Sequence, residues 1–107
     1  MKKLITSLLL TSVLFLSACA HHGAAYIQSR PTGAEVVDLK TGVILGVTPV
    51  KVWWEEPKQS RKFVNIRIQK EGYQDKTSSF WVTLRHSDRE KALTNAQSVE
   101  MTLDKVK

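Results

Sequence analysis

The stretch "KFVNIRIQK", residues 62–70, decides the fold class. Val64, Ile66 and Ile68 alternate with Asn65, Arg67 and Gln69. A period of two places successive side chains on opposite faces of an extended strand, so one face is buried and the other is wet. Downstream, "EGY" (71–73) supplies a turn at Gly72, and "SFWVTL" (79–84) returns. Phe80, Val82 and Leu84 then share one face, with Trp81 and Thr83 on the other. If Val64 faces Phe80 across this hairpin, Phe63 falls opposite Trp81 on the outer face. A slip of one residue would bury the polar set, so parity enforces that register.

Upstream the chain has the same texture, short apolar runs broken by Gly and Pro, which signals strands and turns. "YIQS" (26–29) reads as a first strand and "RPTGA" (30–34) as a turn, in which Gly33 supplies the positive φ of a type II geometry. "EVVDL" (35–39), "VILGV" (43–47) and "VKVWW" (50–54) read as three further strands, and "EEPKQS" (55–60) as a polar loop. "RHSDREKALTNA" interrupts the pattern. Ser87 and Glu90 have capping-box spacing, which predicts a short helix over about residues 88–94 with Ala92 and Leu93 inward. "SVEMTL" (98–103) is a last strand with Val99, Met101 and Leu103 inward, and "DKVK" frays. The expected architecture is all-β: a small antiparallel β-sandwich with one short helix. No repeat and no second domain is visible.

The first residues belong to a different text. Lys2 and Lys3 precede the apolar run "LITSLLLTSVLFL" (4–16), which is shorter than the roughly 20 residues a membrane-spanning helix needs. Basic start, apolar run and small residues form the layout of an export signal. Cys19 is the only cysteine of the chain, so it has no intramolecular disulfide partner. Leu16-Ser17-Ala18-Cys19 resembles the lipobox of bacterial lipoproteins. The resemblance implies removal of residues 1–18, a diacylglycerol on the Cys19 sulfur and a further acyl chain on its amine. Stable anchoring needs two or more chains, because one holds only reversibly. The other reading of these residues is a soluble exported protein with a free thiol. Ala20, rather than Asp, after the cysteine implies the outer membrane. Residues 19–25 then read as a lipidated tether, whose small, polar "AHHGAA" carries no pattern, and 26–104 as the domain.

"IQSRPTGAEVV", "LGVTPVKV" and "IQKEGYQD" together resemble the PEGA domain family. The matching residues are Ser29, Pro31, Gly33, Ala34 and Val36, then Gly46, Thr48 and Pro49, then Gly72 and Tyr73. The second letter of the family's name is Thr32 here, and the charged segment 85–95 departs from the pattern. The resemblance implies a small antiparallel β-sandwich in a bacterial envelope protein, with a binding or structural role, no catalytic residues and no cofactor.

The residues themselves offer little chemistry. His21 and His22 are adjacent, without a nearby Cys, Asp or Glu at ligand spacing, so no metal site is expected. His86-Ser87-Asp88 carries the letters of a catalytic triad. A working triad needs convergence through space on a rigid frame, which neighbours in a polar loop do not supply. Glu55 and Glu56 would point opposite ways on a strand. The net charge of +6 includes the two signal lysines, so the exported part is only mildly basic, and nucleic acid is not an expected partner.

What remains is a surface. Trp54 reads as core with Val50 and Val52. Trp53, Phe63 and Trp81 have the opposite parity and form an exposed apolar stripe if their strands align, flanked by Arg61, Lys62 and Arg67. Such patches mark contact surfaces, unless the rings cover one another or the tether or helix lies over them. The expected protein is therefore a non-enzymatic binding or assembly module, lipid-anchored through Cys19 on the periplasmic face of the outer membrane. Its partner is another envelope protein or peptidoglycan. The alternative is a carbohydrate-binding module that stacks sugars on Trp53 and Trp81.

Overall fold

A computed structural model describes residues 21–106. The signal segment 1–18 and Cys19 lie outside the described residues. The alternating stretch forms β5 (Arg61–Gln69), which buries Val64, Ile66 and Ile68. It pairs antiparallel with β6 (Lys76–Thr83), with Val64 facing Phe80 and Phe63 facing Trp81, the register that parity demands. The remaining elements are β1 (His21–Arg30), β2 (Glu35–Asp38), β3 (Ile44–Val47), β4 (Val50–Glu56), α1 (Arg89–Thr94) and β7 (Gln97–Thr102). They build two sheets, one of order β4-β1-β7 and one of order β3-β2-β5-β6. Among the described residues the protein is all-β with one short helix. The two inner faces share one core, to which β1 contributes Ala25 and Ile27, β2 Val36, β5 its three aliphatics and the β6 end Val82 and Leu84. Trp54 of one sheet meets Phe80 of the other edge-on, with ring centroids 6.4 Å apart.

Several expectations are corrected. The first strand includes His21–Ala25 and does not start at Tyr26, and residues 22–25 are buried. The reason is close approach. A Cβ on Gly23 would lie 2.3 Å from the carbonyl oxygen of Thr83 and within 3 Å of Val82 and Leu84 side-chain atoms. The smallness that reads as a flexible tether is what lets β1 come up against β6. Backbone bonds between His22 and His86, in both directions, fix the same region to the segment after β6.

The "EE" of the predicted loop belongs to β4, which runs to Glu56 because β1 extends back to pair with it. The sandwich is not wholly antiparallel. β7 runs parallel to β1 from Ala25↔Gln97 to Arg30↔Thr102. The other edge of β1 is already taken by β4, and α1 intervenes between β6 and β7, so no hairpin constrains the direction of the last strand. The helix is capped by Asp88 rather than Ser87. Its Oδ1 accepts the Lys91 N–H at 2.8 Å, while the Ser87 hydroxyl meets the Lys91 ammonium. The final residues pair rather than fray: Gln74 N–H donates to Asp104 O and Val106 N–H to Gly72 O.

Polar contacts tie the sheets at both ends. Gln97 on β7 uses its side-chain amide on the outer edge of β6, accepting from Thr83 N–H (2.8 Å) and donating to Trp81 O (2.9 Å). That is the pattern one residue of a parallel neighbour would make around Val82. At the other end, the buried Ser29 and Thr48 hydroxyls bond at 2.6 Å. Thr48 Oγ1 also accepts the Ala34 N–H, and Ser29 Oγ donates to Pro31 O. Thr48 thus joins the 29–34 turn to the start of β4.

Two outcomes test this account. Gly23→Ala, neutral in a tether, is expected to cost about 1–3 kcal/mol by overpacking, measured by denaturant unfolding. Thr48→Val strands the Ala34 N–H and is expected to cost about 1–3 kcal/mol. Combining it with Ser29→Ala should cost less than the two single changes together, because the pair shares one bond.

Candidate functional site

Parity places Phe63, Asn65, Arg67 and Gln69 on the outer face of β5, opposite Trp81, Ser79 and Thr77 of β6. Phe63 and Trp81 pack as a cross-strand pair with centroids 4.9 Å apart and planes inclined by 52°. They remain 48% and 50% exposed, so covering each other hides only about half of each ring. The Arg61 guanidinium lies over the Trp81 ring, 4.3 Å from its centroid. A cation at that distance is held by the ring quadrupole while its donors stay free to reach outward.

Arg67 does not flank this pair. The hydrogen-bonded Asn65–Ser79 pair lies between them along the ladder. Arg67 Nε donates instead to Gln69 Oε1 (3.2 Å), and Gln69 in turn donates to Glu35 (2.7 Å). It serves a polar chain across β5 and β2. Of the three cations expected beside the stripe, Arg61 is the one that lies over an indole.

Trp53 does not join the stripe either. Its strand, β4, pairs with β1 rather than with β5, so Trp53 lies on the outer face of the other sheet, 39% exposed. Its neighbours are His22, at 6.2 Å between ring centroids, and Arg89 of α1, whose guanidinium lies over the indole at 5.4 Å. The helix lies across β1 and β4, with Ala92 and the outward-facing Ala24 both buried. His22 is no tether residue: it is 8% exposed, its Nε2 donates to Glu55 Oε2 at 2.7 Å, and its buried Nδ1 has no partner among the described residues. Glu55 and Glu56 point to opposite faces, as strand geometry requires, and Glu56 pairs with Lys62 at 2.9 Å.

Two Arg–Trp pairs result, Arg61 with Trp81 and Arg89 with Trp53, one on each sheet. Both lie toward the same end of the strands, where β1 and β5 begin and β4 and β6 finish. Arg89 was missed in the sequence because seven residues separate it from Trp81 and thirty-five from Trp53. Only the fold of α1 back over β4 makes it a neighbour. A second exposed apolar group, Leu39, Val43, Ile44 and Val47, lies on the β2–β3 hairpin and also went unmarked. Among the described residues no three His, Cys, Asp or Glu gather as a metal site. Neither a family model, nor a curated protein, nor a solved structure matches the chain.

The outer-face rings are separable from stability. Trp81→Ala is expected to cost about 1 kcal/mol, the worth of a half-exposed cross-strand pair. Ile66→Ala in the core is expected to cost about 2–5 kcal/mol. Thermal unfolding of both variants checks the contrast.

Proposed function

We propose that this chain is a PEGA-like lipoprotein of the bacterial envelope, held at the outer membrane by acyl chains on Cys19 and acting there as a non-catalytic binding or assembly module. The observation that carries this reading is the order of residues 2–19: two lysines, an apolar run too short to span, and Leu-Ser-Ala-Cys. The inclusion of His21 in β1 supports it. A cysteine two residues before a buried strand is well placed for an anchor that holds a body close to a bilayer.

The binding role rests on exposed aromatic and cationic side chains carried on the outer faces of the sheets. For sugar stacking, Trp53 and Trp81 would need a common platform. They occupy the outer faces of different sheets, and an arginine lies over each ring. That arrangement favours an extended surface or a protein partner over a sugar chain bridging both indoles.

The anchor is tested in bacterial cells by metabolic labelling with a palmitate analogue and by phase separation in detergent. The wild-type chain is expected to carry label and to enter the detergent phase. Cys19→Ser is expected to lose the label entirely. A labelled Cys19→Ser chain, or an unlabelled wild type, contradicts the reading.

A further inference from the structure

We propose that the end of the sandwich at which β1 begins is a bilayer-docking surface, with the Trp53–Arg89 and Trp81–Arg61 pairs seated among anionic phospholipid headgroups. This rests on the lipid anchor proposed above and adds what the domain does once anchored.

Reach is the first argument. Only Ala20 separates Cys19 from His21, and two residues span at most about 7 Å. An acylated Cys19 therefore leaves the start of β1 no room to stand away from the membrane. The same end carries His21 and His22, Glu55 and Glu56, the 57–60 loop, Arg61, and residues 83–86. Trp53 lies three residues before the end of β4 and Trp81 two before the end of β6, within about 10 Å of the tip at 3.3 Å per residue. That depth matches the headgroup layer, where tryptophan is enriched because its ring is apolar and its N–H is polar.

Charge is the second. Lys58, Arg61, Arg85 and Arg89 cluster at this end, and none of the four forms an ion pair among the described residues. Of the carboxylates nearby, Glu55 is engaged with His22, Glu56 with Lys62 and Asp88 with the helix N-terminus, which leaves Glu90 beside Arg89 against the four cations. The excess cations are complementary to lipid phosphates.

Shape is the third. The two Arg–Trp pairs lie on the outer faces of different sheets, which stack about 10 Å apart. No partner lying on one face touches both. A surface laid across the strand ends does.

The test uses the full-length protein purified in its acylated form and reconstituted into vesicles of phosphatidylethanolamine and phosphatidylglycerol, with a nitroxide quencher on a fraction of the headgroups. Tryptophan fluorescence is expected to be quenched. Trp53→Phe with Trp81→Phe, which leaves the core Trp54, is expected to remove most of that quenching. Arg61→Ala with Arg89→Ala is expected to lower the docked-to-undocked ratio roughly thirty-fold, since each surface cation contributes about fivefold. High salt, or phosphatidylcholine alone, should act in the same direction.

The outcomes separate cleanly. An acyl-labelled protein without quenching overturns the docking surface and leaves the anchor standing. Quenching unchanged by the arginine substitutions reduces the effect to passive proximity and also overturns it. So does loss of binding to peptidoglycan or to an envelope protein in the arginine variant with quenching intact. A chain without acyl label removes anchor and docking together.

Discussion

The fold depends on how closely β1 approaches β6. At Gly23 the first strand passes so near the Thr83 carbonyl that no side chain fits between them. This contact sets the distance between the sheets at the end where β1 begins. It brings His22 within backbone reach of His86, and thereby positions the segment that leads into α1. α1 in turn covers β1 and β4 and carries Arg89 over Trp53. The arrangement of the candidate surface is thus a consequence of one missing Cβ on the central strand.

The opposite end is held by different means. There the Ser29 and Thr48 hydroxyls bond in a buried site and satisfy backbone groups of the turn between β1 and β2. A buried hydroxyl with partners on two segments is a positional lock, because any shift of either segment strands a desolvated polar group. Close steric packing at one end and a satisfied polar cluster at the other leave β1 little freedom to slide. Side-chain parity, and hence the identity of the exposed rings, follows from that.

What the sequence made legible was local. Val64, Ile66 and Ile68 against Phe80, Val82 and Leu84 is a pattern strong enough to specify both strands and their register, and the facing of Phe63 and Trp81 came with it. What it hid was long-range. Parity says that Trp53 faces outward, but not which sheet its strand joins, since the pairing of β4 with β1 spans some thirty residues of chain. Gly23, Ala24 and Ala25 carry the same letters in a linker and in a tight packing contact, and only the neighbour across the gap distinguishes the two. Arg67 and Arg61 stand equally well beside Phe63 in the sequence. The polar chain through Gln69 and Glu35 takes the first away and leaves the second for the indole.

The three-stranded sheet has a temporal side. β1 is its middle strand, flanked by β4 and by β7, the last strand of the chain. The four-stranded sheet draws only on residues 35–83, and its two hairpins close locally. A chain made from its N-terminus onward can therefore zip most of that sheet while one flank of β1 still lacks its ladder. The earliest strand to appear waits for residues 97–102. Any nascent or clipped form ending before Gln97 displays a bare central edge, a template on which a second molecule can lay down a strand of its own.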